Sequence, residues 1–315
     1  MSIRKLIVLA GALLLCAACA KMEEPAKPRP SQTPQQAAAP GASYEQELEQ
    51  WKAKRLANLK SEDGWLSLIG LFWLKEGENR FGSDPAGEIV LPDGKAPPHA
   101  GTLRLAAGRV TLEAKPDAKI KTKEGQPATT LELKSDEGGE PTLLEMGSLS
   151  FHVVKRGDRL GLRVKDRENP ARAEFKGTDY YPADRRWVVS ARFEPYQPPK
   201  KVPILNVLDM TTEEISPGAL AFEVDGRPYR LEALKEQGEE QFFIIFADQT
   251  SGKETYGAGR YLYADPPGAD GVVRLDFNRA YSPPCAFTKY ATCPLPPPQN
   301  RLPLRVEAGE RYLGH

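Results

Sequence analysis

The chain has 315 residues, and its 43 lysine and arginine residues balance its 43 aspartate and glutamate residues. A net charge of zero disfavours nucleic-acid binding, because proteins that neutralise phosphates carry a clustered excess of Lys and Arg. With 40% apolar and 27% charged residues, the composition is that of an ordinary globular protein. The length suits either two domains or one large β domain.

The first residues predict a targeting signal rather than part of the fold. Arg4 and Lys5 precede an apolar run over residues 6–15, which is too short to span a bilayer. The run ends in Cys16-Ala17-Ala18-Cys19, which resembles the bacterial lipobox. This resemblance implies that residues 1–18 are a signal peptide and that Cys19 is acylated. Cleavage by an ordinary signal peptidase, with secretion of the free protein, is the alternative.

The residue after the acylated cysteine indicates the compartment. Ala20 stands there instead of Asp, which is the sorting pattern of lipoproteins of the outer membrane that face the periplasm. Loss of residues 1–18 removes two basic residues and no acidic ones, which leaves 41 basic residues against 43 acidic residues. We therefore expect the membrane to be contacted through the N-terminal acyl chains and not through a basic patch.

A tether and a helix are predicted next. Residues 19–43 are rich in proline, glutamine and alanine without apolar periodicity, which predicts a lipidated, disordered tether. Residues 44–60 have helical spacing, with Leu48, Trp51 and Leu59 on one face. We expect this face to pack on its own domain, although a partner-binding helix is the alternative.

The rest of the chain has the pattern of a β protein. Short alternating segments, such as residues 109–114 and 160–165, are separated by Gly, Pro and Asp. This spacing predicts a mainly β fold with antiparallel sandwich or barrel-like sheets and one N-terminal amphipathic helix. The polar glycine stretch over residues 137–140 suggests a boundary. It divides a helix and sandwich-like half (residues 44–136) from a C-terminal β half with a proline-rich cap (residues 141–315).

Two cysteines remain in the mature chain, Cys285 and Cys293. A pair of cysteines in an oxidising compartment favours a structural disulfide. A redox pair or a thiol nucleophile is the alternative, but the C-x7-C spacing is not that of thiol oxidoreductases, and no histidine lies nearby to activate a thiolate. The prolines over residues 294–298 predict an extended segment that the disulfide would hold across the sheet.

Familiar catalytic and metal-binding patterns are missing from the sequence. The three histidines, His99, His152 and His315, are far apart, and neither H-E-x-x-H nor G-x-S-x-G occurs. We therefore predict no metal and no cofactor.

A polar cluster near the C-terminus is the candidate binding site. It comprises Arg260, Tyr261, Tyr263, Asp276, Asn278, Arg279, Tyr281 and Tyr290. If residues 256–264 and 272–277 form a hairpin, Arg260 can reach Asp276 across it. With Asn278 and Tyr290, this pair would bind a small polar or anionic ligand. A structural salt bridge that closes one end of a barrel is the alternative.

Several segments resemble one bacterial family. They are Gly64-Trp65-Leu66-Ser67-Leu68, Phe72-Trp73-Leu74, Tyr180-Tyr181-Pro182, Arg185-Arg186-Trp187, the run from Leu275 to Thr288, and the run from Tyr290 to Pro296. Together they are similar to the family catalogued as domain of unknown function 1684, over residues 51–310. The family has no assigned activity, so the resemblance implies membership and no mechanism.

A second resemblance lies in the N-terminal half. Phe81-Gly82-Ser83-Asp84, followed by residues 89–92 and 99–103, is similar to a forkhead-associated β-sandwich. Pro97-Pro98 stand where that family places its phosphate-binding serine. The likeness therefore implies a sandwich topology rather than phosphothreonine binding.

These observations predict an envelope lipoprotein that binds a small polar ligand or an envelope protein. A hydrolase that uses carboxylates such as Asp276 is the first alternative, since paired carboxylates can transfer protons without histidine. A purely structural envelope protein is the second. Two carboxyl groups facing one pocket would favour the hydrolase.

Overall fold

The computed structural model describes residues 43–137, 139–236 and 238–312, all within one compact unit, Ala42–His315. The predicted signal peptide, the acylation site Cys19 and the tether up to residue 42 lie outside the described residues.

The predicted helix forms with the predicted bounds. Helix α1 covers Tyr44–Lys60. It begins with a capping box, in which the Ser43 side chain accepts from the Gln46 backbone N–H, and the Gln46 side chain accepts from Ser43 N–H. Leu48 and Leu59 are buried, so the apolar face packs on the protein's own β structure.

Besides six short 3-10 helices, the described part of the chain contains one further short α-helix and a series of strands. In chain order they are β1 (Leu68–Trp73), β2 (Gly77–Gly82), β3 (Ile89–Val90), β4 (Gly101–Ala106), β5 (Arg109–Ala114), β6 (Lys121–Thr122), β7 (Thr130–Leu133), β8 (Leu144–Met146), β9 (Leu149–Arg156), β10 (Arg159–Asp166), α2 (Pro170–Glu174), β11 (Val188–Leu205), β12 (Thr211–Val224), β13 (Arg227–Ala233), β14 (Phe242–Phe246), β15 (Arg260–Ala264) and β16 (Val272–Asp276).

Two five-stranded sheets share the first hydrophobic core. Their strand orders are β1-β10-β9-β8-β6 and β3-β2-β4-β5-β7. Phe81, Leu103, Leu112, Phe151 and Leu162 are among the buried residues of this core. Inward and outward residues alternate along the strands, as expected for sheets with one buried face.

The second core is built by the later strands. A four-stranded sheet has the order β13-β12-β11-β16, and β14 pairs with β15. Trp187, Phe222, Phe246 and Phe277 pack in this core. The proline-rich segment after Cys293 forms no strand, but Leu295 N–H donates to Leu205 O at the end of β11.

The mainly β fold with antiparallel sheets and one N-terminal helix is confirmed. Only the two-residue pairing of β2 with β3 is parallel among the strand pairs of the described residues. The glycine stretch over residues 137–140 lies between β7 and β8, and Leu133 and Leu144, on either side of it, are both buried in the first core. Division of the chain into two domains at this stretch stays a prediction.

Candidate functional site

A cleft of about 650 Å³ lies where α1, the β9–β10 hairpin, the β14–β15 pair and the segment after β16 meet. Its lining combines basic and aromatic side chains. These are Trp51, Lys54, Arg55, Asn58, Trp65, Arg156, Arg163, Glu236, Gln241, Phe243, Tyr261, Tyr263, Arg279, Tyr281, Pro284, Thr292, Cys293 and Pro294.

Helix α1 contributes one of its faces to the cleft. Trp51, Lys54, Arg55 and Asn58 follow the i, i+3, i+4, i+7 spacing that places side chains on one side of a helix. The Arg55 guanidinium donates to a Glu310 carboxylate oxygen at 2.9 Å and lies 4.5 Å from the centre of a tyrosine ring in the cleft. Its charge is therefore already balanced within the protein.

Arg156, at the end of β9, is also held by the protein. Its two terminal nitrogens donate to the two Asp136 carboxylate oxygens at 3.0 and 2.9 Å. Its Nε donates to the Thr292 hydroxyl at 3.0 Å. This bidentate geometry fixes the guanidinium plane at the rim of the cleft.

Arg163, in the middle of β10, has no such counter-ion. Its side chain is only 7% exposed, and its Nε is buried without a hydrogen-bond partner. In the described part of the chain, no carboxylate oxygen lies within 4.0 Å of its nitrogens, and its guanidinium carbon lies 5.4 Å from the centre of the Trp65 ring. Burial, and then the positive charge of Arg156, lower the pKa of Arg163 to about 10, so it is charged at neutral pH.

Aromatic side chains form the opposite wall. Phe243 of β14 and Tyr261 and Tyr263 of β15 share one face of their two-stranded ribbon, because residues two apart on a strand point to the same side. The Tyr263 ring stacks on Phe243 at 5.1 Å and faces Tyr281 at 6.4 Å. Tyr281 also meets Tyr261 edge to face at 5.8 Å.

One carboxylate lines the cleft among the described residues. Glu236 is half-buried and accepts a hydrogen bond of 2.7 Å from the Tyr263 hydroxyl. Burial raises the pKa of Glu236, and the charges of Glu239 and Glu214 raise it further. No lysine or arginine nitrogen of the described segments lies within 4.0 Å of this carboxylate.

Arg260, the central residue of the site predicted from sequence, does not reach this cleft. It alternates with Tyr261 and so points to the other side of β15, where it is completely buried against Asp248 at 3.2 Å. The expected hairpin is wrong, because β15 pairs with β14 and β16 pairs with β11. The expected Arg260–Asp276 pair is therefore replaced by an Arg260–Asp248 pair.

The other three predicted site residues are also placed elsewhere. Asp276 accepts from the Tyr44 hydroxyl at 2.8 Å and Asn278 N–H at 3.2 Å, so it anchors the start of α1. The Asn278 side chain holds the Asp184 backbone. Tyr290 lines a separate, mostly apolar depression of about 370 Å³. The structure does not bring these residues together around one cavity.

Four members of the wider polar cluster nevertheless do line the cleft: Tyr261, Tyr263, Arg279 and Tyr281. Arg163 was missed, because Gly161, Arg163 and Lys165 share the polar face of an alternating strand. In the sequence this face reads as a solvent-exposed surface. The sequence carries no signal that separates Arg163 from the other polar residues of this strand, Lys165 among them.

One cysteine of the pair, Cys293, lines the same cleft. Cys293 is buried and Cys285 half-buried, and Cys285 N–H donates to Cys293 Sγ at 3.1 Å. Both cysteines are free in the structure, so the disulfide expected from the sequence is not formed there. Their closeness keeps the disulfide as a prediction for the oxidised protein.

Within residues 43–137, 139–236 and 238–312, no helix has the length and apolar character needed to cross a membrane. In the same segments, no group of three or more His, Cys, Asp or Glu side chains is arranged to hold a metal ion.

The fold and cleft define a mainly β protein with a basic, aromatic-walled cavity. Residues 173–311 match the family described as "Protein of unknown function (DUF1684)". An uncharacterized protein from gene locus rrnAC0354 of Haloarcula marismortui, solved by NMR in solution, is 35% identical; the match covers 46% of this chain and 82% of that chain, with a TM-score of 0.40. The chain belongs to the DUF1684 family. No curated protein matches it.

Proposed function

We propose that this protein binds a small anionic ligand in the cleft and that Arg163 is the group that anchors the anion. A buried guanidinium without a counter-ion is unfavourable, because desolvation of the charge is not offset. A carboxylate or phosphate group of a ligand would supply the missing hydrogen bonds and charge. The cleft volume lies in the range of small-molecule sites.

The paired-carboxylate hydrolase has less support. Glu236 is the single carboxylate among the cleft-lining side chains of the described segments, and Asp276 is engaged by Tyr44 away from the cleft. A purely structural role would leave the buried, unpaired Arg163 without a purpose. Ligand binding is therefore the function that the side chains favour.

Titration with ethyl phosphate tests the proposal directly. With the full chain purified in detergent, we expect saturable binding in calorimetry and a ligand-dependent rise in melting temperature. Arg163→Met should weaken binding at least about tenfold, because a charge-assisted hydrogen bond to an anion is lost. Arg227→Met is the matched control, since Arg227 is exposed at the start of β13 and outside the cleft lining.

Equal binding by the wild type and Arg163→Met would contradict the proposal. Absence of binding by the wild type, with ethyl phosphate and also with acetate, would contradict it as well.

The proposed location is the periplasmic face of the outer membrane, through acylated Cys19. The lipobox-like end of the apolar run supports it. Cys19→Ala should move the protein from the membrane to the soluble fraction and abolish incorporation of labelled palmitate. A variant that still sediments with membranes, beside a wild type without label, would refute acylation.

A further inference from the structure

Among the described charged side chains that line the cleft, two that are not exposed lack a counter-ion, and their charges are of opposite sign; Lys54, which also has no ion pair, is exposed. Arg163 is one, with its buried, unpartnered Nε. Glu236 is the other, because the neutral Tyr263 hydroxyl is the one hydrogen-bond donor to its carboxylate within residues 43–137, 139–236 and 238–312. The other three arginines that line the cleft, Arg55, Arg156 and Arg279, each have a carboxylate within 4.0 Å.

Arg163 and Glu236 do not neutralise each other. Among the described residues, no Arg163 nitrogen lies within 4.0 Å of the Glu236 carboxylate. Burial, and then the charges of Glu239 and Glu214, raise the pKa of Glu236, whereas burial, and then the charge of Arg156, lower the pKa of Arg163. The two groups thus lie in different electrostatic surroundings within one cleft.

A row of cleft-lining side chains leads from Glu236 towards Arg163. It starts at Glu236, which is bonded to Tyr263, and passes through Tyr281 to Tyr261 by ring contacts of 6.4 and 5.8 Å. Tyr261 then donates to Pro294 O at 2.8 Å. Two residues earlier, the Thr292 hydroxyl accepts a hydrogen bond from Arg156, which lines the cleft together with Arg163. The aromatic wall therefore runs from the acidic part of the cleft to its basic part.

From this arrangement we infer that the ligand is dipolar, with an anionic group bound by Arg163 and an ammonium group bound by Glu236. The inference rests on the proposed anion site and adds the second contact. The tyrosine faces between the two would contact the carbon chain of the ligand, and they attract an ammonium group through cation–π interaction. A molecule of this class would satisfy both unpaired charges at once.

The test compares ligands that differ only in the ammonium group. The probes are a series of ω-aminoalkyl phosphates of increasing chain length and the alkyl phosphates of the same lengths, titrated into the detergent-purified full chain. At the best length we expect the amino compound to bind at least about tenfold more tightly than its alkyl counterpart, as for a partly desolvated ion pair with cation–π support.

Substitutions separate the two contacts. Glu236→Gln should remove the preference for the amino compound while leaving binding of the alkyl phosphate within about twofold of the wild type. Glu239→Gln, an exposed neighbour outside the cleft lining, is the control and should keep the preference. Arg163→Met should weaken both compounds.

The failures are distinguishable. Equal affinity for the amino and alkyl compounds at every chain length would contradict the dipolar ligand. If alkyl phosphate binding still depended on Arg163, the proposed anion site would remain supported. Loss of all phosphate binding would overturn both. Binding to vesicles of phosphatidylethanolamine and to vesicles of phosphatidylglycerol identifies the source of the ligand. Binding to phosphatidylethanolamine that depends on Glu236 supports a lipid headgroup. Binding of the soluble compounds without binding to vesicles supports a free metabolite.

Discussion

Arg260 Nη2 lies 3.2 Å from an Asp248 carboxylate oxygen, and both side chains are completely excluded from solvent. The same guanidinium donates to the carbonyl oxygens of Val306, at 2.9 Å, and Ala308. Asp248 in turn accepts from Val306 N–H at 2.7 Å. This ion pair therefore fastens the C-terminal segment, which has no strand of its own, to β15.

Removal of Arg260 should strongly destabilise the protein. We expect Arg260→Met to lower the free energy of unfolding by about 3–5 kcal/mol, because Asp248 and two carbonyl groups lose their partner in a buried site. Urea unfolding followed by tryptophan fluorescence measures the change. The double variant with Asp248→Asn should cost less than the sum of the single changes. A loss below about 1 kcal/mol for Arg260→Met would show that the ion pair is not structural.

Arg163 should behave in the opposite way, although it is almost as deeply buried. Its removal leaves no carboxylate unpaired. Arg163→Met therefore removes the desolvation penalty of the buried guanidinium and retains apolar packing against Trp65. The expected free energy of unfolding is unchanged or up to about 1–2 kcal/mol higher. The measurement is the same urea titration, without ligand. A loss of more than about 2 kcal/mol would mean that Arg163 serves the fold instead of a ligand.

His152 should make stability depend on pH. It pairs with Arg163 across β9 and β10. Burial lowers the pKa of His152 from 6.5 to about 4, and the positive charges of Arg163, Lys165 and Arg156 contribute to this shift. The negative charge of Asp136 opposes it. Between these values the unfolded chain binds a proton that the folded protein does not. Stability therefore falls as pH decreases from about 6.5 to about 4, by about 3 kcal/mol at most.

His152→Gln isolates this contribution from that of the carboxylates, which the variant retains. The difference in free energy of unfolding between wild type and His152→Gln should be constant above pH 6.5 and change steadily below it. A difference that stays constant down to pH 4 would contradict the buried neutral imidazole.

The local features of this fold were predictable, and the pairings that build the cleft were not. The helix bounds follow from its apolar spacing, and residues 109–114 form β5 as expected, because alternation and turn residues act over short distances. Local pattern does not extend one strand through the prolines of residues 195–203, yet β11 covers Val188–Leu205. Its prolines are accommodated by a register shift between Pro195 and Lys200 in the pairing with β12.

The candidate site shows the same limit. The sequence identified the correct stretch of β15. Whether Arg260 or Tyr261 faces the cleft, however, depends on which strand pairs with β15. That partner is β14 and not β16. Arg163 lies about a hundred residues earlier, and only the tertiary structure shows that its outward-facing strand face is covered.

The thiols of Cys285 and Cys293 should be oxidised in the mature protein. The backbone N–H of one contacts the sulfur of the other at 3.1 Å, so the two residues are near enough to be bridged with little movement. Protein isolated from the periplasm without reductant should contain no free thiol after denaturation. Cys285→Ser, Cys293→Ser and the double variant should each lower the free energy of unfolding by about 2–4 kcal/mol. Two titratable thiols in such protein would refute the disulfide and revive a thiol-based function.

The segment that precedes Ser43, the residue that caps α1, should contribute nothing to stability. Residues 20–43 have no apolar face to bury, so nothing offsets their ordering cost of about 1–2 kcal/mol per residue. A chain without residues 1–41 should therefore unfold at the same temperature as the full protein. Ser43→Ala in this shortened chain should lower the free energy of unfolding by about 1 kcal/mol, because the Gln46 N–H loses its capping oxygen. Thermal unfolding followed by circular dichroism measures both changes. A drop of several degrees on deletion alone would mean that the tether packs on the folded unit, and no effect of Ser43→Ala would mean that the capping box does not hold the first turn of α1.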